Sequence, residues 1–442
     1  MNNPLEHVIT FLKQTDELKT GEILLDSFSK YARTLAQYDE LAKFYEMIKS
    51  YHKSLKMLEK CLVLGETPDQ LYSIRANLAK VYNHINDPEK SLLYSGINLQ
   101  INSDDSEAKM EQSFSHYLLA DYATSFQIQS NLLVSPDASP EVKDRITFNM
   151  GTFEMANGNF KSGIFKMIMG GKKIGIWPHI KRPYNKWDGK FTEKTVLVFA
   201  EAGIGDELAN IRFMREFQKR GINAVWVSSA DDRNEFYRSN GFICVNPSEI
   251  STVDEYVYCE SMTLPVLFDL ELHELWDTAY LTPKKEYIDK WKSVLPEKFI
   301  TIRWSGNPYY DQDLHRSLDY ELLVCSLAEF NIPLVSLQID HAKINDKRVI
   351  DVDIKTWDDT IAIQHLAHLN ITSCTSTAHS AGASAAKCVV LPPIATYYQW
   401  LHLRDGDFSQ WYGDNLKVFP QTKHKSWKEP IDKTVELLRS MQ

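Results

Sequence analysis

Four times between residues 41 and 163 an apolar residue is followed, thirteen positions later, by a small one. The pairs are Leu41 and Ser54, Leu78 and Ser91, Met110 and Ala123, and Met150 and Gly163. The lead positions lie 37, 32 and 40 residues apart, so the spacing is constant inside the unit and variable between units. Within LAKFYEMIKSYHKSLKMLEKCL, small and apolar residues recur three and four apart on two successive helices. Leu41, Ala42 and Tyr45 face inward from the first helix, and Ser54 and Leu58 from the second. One such hairpin cannot cover its own apolar stripe, so the pattern predicts helix pairs stacked side by side.

A chain of 442 residues is longer than one core usually serves, and with 43% hydrophobic and 12% aromatic residues it has the material for several. The formal charge of -10 is spread among mixed acidic and basic residues. No basic block is present to neutralise a phosphate backbone, which argues against nucleic acid as a partner. The six cysteines, at 61, 244, 259, 325, 374 and 388, form no short pairs, so neither a disulfide framework nor a zinc ribbon is indicated. The opening MNNPLEHVITFLKQTDELKT carries charge where a signal peptide needs an apolar run, and no apolar stretch is long enough for a transmembrane segment. A cytoplasmic location is expected.

After the basic and aromatic segment KRPYNKWDGKF, residues 181 to 191, the periodicity changes. KTVLVFA reads as a buried strand, EAGIGDELANIRFMREFQKRG as a glycine turn feeding a helix, and NAVWVSS as the next strand. A second series starts at KFITIRW (298–304) and continues through PLVSLQ (333–338), NITSC (370–374) and VVLPP (389–393), with helices between. Such alternation predicts parallel sheets with covering helices. The expected organisation is a helical repeat domain over 1–185, a first α/β lobe over 186–290 and a second over 291–442, which includes a terminal helix. Open sheets of this kind bind ligands beyond the carboxyl ends of their strands.

Three constellations fall at such ends. In AGIGDE, Gly203 and Gly205 let the backbone turn and approach a neighbour, and Asp206 stands in the first turn of a helix whose free amides favour anions. Two roles fit Asp206: general base toward an acceptor hydroxyl, or cap of its own helix. Arg212, on the same helix, reads as structural or as a cation lining a cleft. The full dinucleotide glycine fingerprint is missing.

In RWSGNPYYDQDLHRSL, Arg303 and Arg316 suit the oxygens of a diphosphate leaving group. Asp311 and Asp313 lack a completed oxygen cage for a hard cation and read as surface residues. In ITSCTSTAHSAGASAAK, a strand-to-helix turn presents Thr375, Ser376 and backbone amides, and Ala378, Ala381, Gly382 and Ala383 keep the helix thin for close approach, a suitable phosphate seat. His379 either donates to phosphate or sugar or is a packed core residue. Asp359 and Thr360 open the preceding helix, where a ribose acceptor with a phosphate neighbour competes with helix capping. Gln338 follows its strand at a position suited to a base. Cys374 has no adjacent base to make it a nucleophile.

Taken in this order, WDGKFTEKTVLVFAEAGIGDE, TIRWSGNPYYDQDLHRSL, DDTIAIQHLAHLNITSCTSTAHSAGA, VVLPP and WYGDNLKVFPQ resemble the glycosyltransferases of the lipopolysaccharide heptosyltransferase type, over about residues 187–421. The helical pairs before them resemble tetratricopeptide repeats, without most of the usual tryptophan and proline. The resemblance implies a two-lobed fold of the GT-B type, with an acceptor-side first lobe and a nucleotide-sugar-binding second lobe. By position it gives Asp206 as the catalytic base and puts Thr375 and His379 around the donor phosphates. Asp359 and Thr360 match the acidic residue and threonine opening the preceding helix, and Arg303 and Arg316 fall in the phosphate-side segment. The family pattern D-T-x-x-x-H has Cys374 where its aspartate stands, which removes an acceptor for the donor sugar, so the resemblance leaves the sugar open.

The function expected from residues and resemblance together is metal-independent, inverting transfer from a nucleotide-diphosphate sugar to a hydroxyl. The acceptor is a glycan or protein, held on the repeat surface, and no cofactor is expected. The rival expectation is an inactive module of this kind on a repeat scaffold that captures a partner. A dehydrogenase lacks its glycine fingerprint here, and a metallohydrolase lacks a ligand set.

Overall fold

The computed structural model describes residues 18–173, 184–228, 230–250, 256–275, 278–308, 310–339, 346–401 and 403–441. Its first part is helical: α1 (Leu18–Ser29), α2 (Leu35–Met47), α3 (Tyr51–Leu64), α4 (Pro68–His84), α5 (Pro88–Ile101), α6 (Ser106–Leu118), α7 (Tyr122–Val134), α8 (Pro140–Ala156) and α9 (Phe160–Lys173). The helix starts are written in the sequence. Thr34 with Gln37, and Thr67 with Gln70, close capping boxes on α2 and α4, while Asp87, Asp105 and Asp121 accept first-turn amides of α5, α6 and α7.

The inward residues expected for the first two hairpins are buried: Leu41, Ala42, Tyr45, Ser54 and Leu58, then Leu78, Ala79, Tyr82 and Ser91. What lets the two helices of a hairpin meet is a pair of small residues twelve apart. Ser54 Oγ donates to the Ala42 carbonyl at 2.9 Å, and Ser113 Oγ donates to the Ser125 carbonyl at 3.1 Å. In the fourth hairpin a Cβ on Gly151 would stand 2.5 Å from the Gly163 carbonyl oxygen. The third hairpin therefore differs from the expected register: Ala123 is exposed and Ser125 is the buried small residue. The backbone contact selects for size alone, and serine fills that need while Met110 is two places out of step.

The chain divides into two compact units. The first contains the described residues up to Val142 together with Asn307–His315 and Lys423–Lys425. Asp311, expected at the surface, is partly exposed and there accepts from Tyr51 Oη at 2.6 Å and pairs with Lys49 at 3.2 Å, whereas Asp313, expected at the surface as well, is buried. His315 Nε2 donates to the Asn83 carbonyl at 2.8 Å.

The second unit holds Lys143 onward through the fourth hairpin and a two-lobed α/β architecture. Sheet A is parallel, in the order β1 (Asn185–Lys186), β5 (Tyr256–Glu260), β2 (Thr195–Phe199), β3 (Ala224–Val227), β4 (Cys244–Val245). Sheet B runs β11 (Leu403–Arg404), β12 (Phe408–Ser409), β13 (Gly413–Val418), β10 (Cys388–Leu391), β9 (Leu369–Ser373), β6 (Ile300–Arg303), β7 (Leu334–Ser336), β8 (Val349–Asp351). It is parallel from β13 to β8, and β11 and β12 add an antiparallel ribbon at one edge.

Five further helices matter below: α10 (Ile204–Asn210), α11 (Lys285–Val294), α12 (Trp357–Leu366), α13 (Ser376–Ala383) and α14 (Lys428–Ser440). Strands β2, β3, β6, β7, β9 and β10 are the six read from the sequence. The largely buried β2, β6 and β10 carry β-branched and aliphatic runs, as strands of a covered parallel sheet do, whereas the equally buried β9 alternates Leu369 and Ile371 with Asn370 and Thr372. Met155, Phe160, Ile164 and Met167 of the fourth hairpin join the core of sheet A, and that core continues through α10 to Ala378, Ala381, Trp400, Trp411 and Tyr412 beside sheet B. No helix among the described residues is long and apolar enough to cross a membrane.

Gly151→Val is expected to drive the α8 and α9 backbones apart and to cost about 2–3 kcal/mol. Ala123→Ser, at an exposed position, is expected to stay within about 0.5 kcal/mol of wild type. Urea unfolding of the two variants checks both.

Candidate functional site

The exit of β2 turns sharply into α10. The residue in the left-handed region is Ala202, at φ 61°, whereas Gly203 is extended at φ -94°. Glycine is required two residues later: a Cβ on Gly205 would stand 2.7 Å from His379 Cδ2 and 3.5 Å from Ser376 Cα. The bare backbone of Gly205 thus lets the start of α10 abut the start of α13.

Asp206, next in the chain, is half-buried at this seam. Its Oδ2 accepts from the Gly203 N–H at 3.1 Å, which is the capping geometry, and its Oδ1 accepts from Gln399 Nε2 at 3.2 Å. Burial pushes the carboxyl above its ordinary value, opposed by those hydrogen bonds and by the charge of Arg316. Arg316 Nη1 in turn donates to the Cys374 carbonyl at 2.9 Å, at the end of β9.

Beyond β9, Thr375 is the N-cap of α13, yet its hydroxyl makes no capping bond and lies 3.3 Å from Thr372 Oγ1. No side chain of the cap therefore covers the first amides of α13. His379 is buried, with Nδ1 2.6 Å from Tyr412 Oη and its ring 5.0 Å from that of Trp400. Burial, reinforced by Arg212 and Arg316, holds its pKa down to about 3, so the imidazole is neutral. The thin face of α13 serves the protein itself: a Cβ on Gly382 would strike the Tyr412 ring at 2.3 Å.

Cys374 is a buried thiol pushed up to about 12 by desolvation, and it accepts from Trp400 Nε1 at 2.8 Å. It is a packing partner and no nucleophile. Arg212 is structural: Nε donates to Ala209 O, Nη1 to Leu275 O and Trp411 O, and the guanidinium lies over the rings of Tyr280, Trp411 and Tyr412.

Arg303 and Gln338 brace the exits of β6 and β7. Arg303 is buried and donates to Ser305 O and Leu337 O, both at 3.2 Å, while Gln338 Oε1 accepts from the Ser305 N–H at 3.2 Å. Gln338 Nε2 is buried without a hydrogen-bond partner among the described residues.

Asp359, 1% exposed, is saturated. Oδ1 takes Lys290 Nζ at 2.7 Å and Trp291 Nε1 at 2.8 Å, and Oδ2 takes Lys355 N, Thr356 N and Thr356 Oγ1, each at 3.1 Å. Burial raises its pKa, but the Lys290 and Trp291 donors outweigh that and the net shift is downward. Thr360 Oγ1 donates to Thr356 O at 3.3 Å. Capping is the role this geometry realises for Asp359; a ribose hydroxyl finds no free lone pair there.

The structure thus brings Gly205, Asp206, Arg316, Thr375, Ser376 and His379 to one seam, sets Arg303 and Gln338 as braces at the neighbouring strand ends, and commits Asp359 and Thr360 to the start of α12. The sequence reading missed Gln399, Trp400 and Tyr412. Their only signal was the aromatic density of TYYQW and WY, which says nothing of what those rings face. Among the described residues no three His, Cys, Asp or Glu side chains gather as a metal site.

No protein-family model matches the chain, and no curated protein matches it in sequence. Among solved structures it is similar to the iron-containing dodecameric glycosyltransferase TibC from enterotoxigenic E. coli, with 10% identity, 57% of this chain and 78% of that one covered, and a TM-score of 0.39. It is also similar to the E. coli heptosyltransferase WaaC (9% identity, 56% and 100% covered, TM-score 0.35). A third is the glycosyl transferase family 9 protein of Veillonella parvula (10% identity, 58% and 91% covered, TM-score 0.33).

Removing a charge from a saturated cap should register as stability: Asp359→Asn is expected to lose about 1–3 kcal/mol, read by urea unfolding. A second expectation concerns acid. Below the ordinary histidine value of 6.5 the unfolded chain takes up protons that buried His379, at about 3, and His315, at about 4, do not. Each therefore removes up to about 1.4 kcal/mol of stability per pH unit as pH falls from about 6.5 toward 4. His379→Asn should make the slope of stability against pH shallower by one proton.

Proposed function

We propose that the chain is a glycosyltransferase that moves a sugar from a nucleotide-diphosphate donor to a hydroxyl, with inversion and without a metal. The observation that carries this reading is Asp206: a carboxylate raised above its ordinary value, abutting a helix start that has no side-chain cap, with Arg316 alongside. In this reading Asp206 accepts the proton of the acceptor hydroxyl as that oxygen attacks the anomeric carbon, and the bond to the diphosphate breaks on the opposite face. The α13 amides and Arg316 take the charge that develops on the departing diphosphate. The raised carboxyl favours this role, because a base with a pKa nearer neutrality binds the transferred proton more firmly.

The order of the motifs supports the heptosyltransferase type in particular, and the small-residue pairs twelve apart support tetratricopeptide repeats as the identity of the helical region. The repeats would then hold a glycan or protein acceptor. Six free thiols fit the expected cytoplasmic location.

One observation favours a second reading. Gly205 packs directly on His379, and a continuous core runs through α10 and α13 past the seam. A module closed in this way would serve as a scaffold carrying the repeats, without turnover.

The test is release of nucleoside diphosphate from a panel of ADP-, GDP-, UDP- and dTDP-linked sugars, followed by transfer with the best donor. Asp206→Asn is expected to lower kcat at least about 100-fold while donor binding persists. Because burial raises the carboxyl, wild-type kcat/KM should fall with pH from a point above the ordinary carboxylate range, and neutral His379 should add no limb between pH 5 and 8. Equal transfer by Asp206→Asn would remove the assigned base, and silence across the panel would favour the scaffold.

A further inference from the structure

A single 3-10 turn, Tyr398–Trp400, touches both halves of the seam. Gln399 is buried, 2% exposed, and its amide donates to Asp206 Oδ1 at 3.2 Å. The next residue, Trp400, donates its indole N–H to Cys374 Sγ at 2.8 Å and lies with its ring 5.0 Å from that of His379. Tyr398, on the other side, packs edge-on to Trp411 and reaches Met262 Sδ. Consecutive side chains of one rigid turn therefore fix the carboxylate at the start of α10 and the imidazole and thiol around α13. None of the sequence motifs includes this turn.

A carboxylate held by the Gly203 N–H alone can swing about its χ angles. A second donor on the other oxygen locks both χ angles and favours the ionised form. The donor is an amide, which adds no competing charge and cannot take the proton away. The charged and titratable groups around Asp206 are Arg316, His379, Cys374 and Tyr398 across the seam, Arg212 behind it, and Glu207 on its own helix, which is turned to Trp226 and Arg233. Of these only Arg316 favours the anion directly; the neutral support comes first from the Gly203 amide, then from Gln399 and from the Asp206 amide itself.

We propose that Gln399 is the positioning residue of the site: it aims the Asp206 carboxylate and keeps it ionised, and the Tyr398–Trp400 turn keeps that carboxylate in register with His379. This rests on the glycosyl-transfer reading for its kinetic consequence, but the link between Gln399 and the protonation of Asp206 holds whether or not the chain turns over.

The experiment uses the full chain with Gln399→Leu, Gln399→Glu, Asp206→Asn and the double variant Gln399→Leu with Asp206→Asn. Melting temperature is followed from pH 4 to 8, and kcat and KM from pH 5 to 9 with the best donor of the nucleotide-sugar panel. Loss of the amide should leave the Asp206 anion less supported, so Gln399→Leu should melt lower at pH 8 than at pH 5 relative to wild type. That pH-dependent difference should vanish in the Asp206→Asn background. Kinetically, Gln399→Leu should lower kcat about 10- to 100-fold with donor KM nearly unchanged, and should move the acidic limb of kcat/KM to higher pH. Gln399→Glu, which sets a second carboxylate against the first, should move it further. A melting difference that is independent of pH, or that survives in the Asp206→Asn background, overturns the proposal, as does an unmoved acidic limb in an active enzyme. Absence of turnover in wild type with the melting coupling intact would instead count against the glycosyl-transfer reading alone.

Discussion

The site depends on one close approach, the seating of the Gly205 backbone against the His379 ring. A single methyl group at position 205 would stand 2.7 Å from the imidazole, so the start of α10 can meet the start of α13 only because that residue has no side chain. Everything electrostatic at the seam follows from this contact. Asp206 is carried into partial burial by it, and burial raises the carboxyl. The same packing, with Arg212 and Arg316 nearby, strips His379 of its proton at neutral pH. One missing methyl group thus underlies the packing that shifts both of the residues best suited to chemistry.

The seam carries an excess of positive charge. His379 and Cys374 are neutral, Asp206 brings a carboxylate, and Arg212 and Arg316 bring two guanidinium groups. Arg212 is satisfied by three carbonyls and three aromatic faces, so its charge is balanced by dipoles and quadrupoles and continues to act on its neighbours. An anionic group entering the proposed donor position would meet this field together with the α13 amides. Burial, reinforced by the same field, disfavours a protonated histidine, so His379 stands at the seam as a neutral imidazole.

The sequence made the architecture legible wherever burial imposes a period. Strands β2, β6 and β10 stand out as β-branched and aliphatic runs, and Leu41, Leu78 and their companions show the helical stripe. It failed where the constraint is size alone: Ser113 and Ser125 pair across the third hairpin as Ala42 and Ser54 do across the first, and no hydrophobic signal marks a serine. The short β8 and the β11–β12 ribbon were equally silent, since two or three residues cannot display a period. At the site, glycines and strand ends pointed to Gly205, Asp206, Thr375 and His379. Gln399, Trp400 and Tyr412 stayed hidden because they come from far along the chain, and only the fold brings them to the seam.

Asp206 and Asp359 show why local motif and chemistry must be read together. Both occupy the third position of a helix and both accept the backbone N–H of the residue that caps it, Gly203 in one case and Thr356 in the other. A sequence search would score them alike. Asp359 has five donors on its two oxygens, including a lysine, and its pKa is lowered, so its lone pairs are filled and its charge is balanced. Asp206 takes the Gly203 amide on one oxygen and Gln399 on the other, faces an arginine without a direct ion pair between them, and has its pKa raised. A carboxylate has about four lone-pair sites, so Asp206 retains room for a further donor, and burial makes proton uptake easier for it than for an exposed carboxylate. Saturation by neighbours separates a capping carboxylate from one able to act as a base, and it is set by packing that the two identical local motifs do not record.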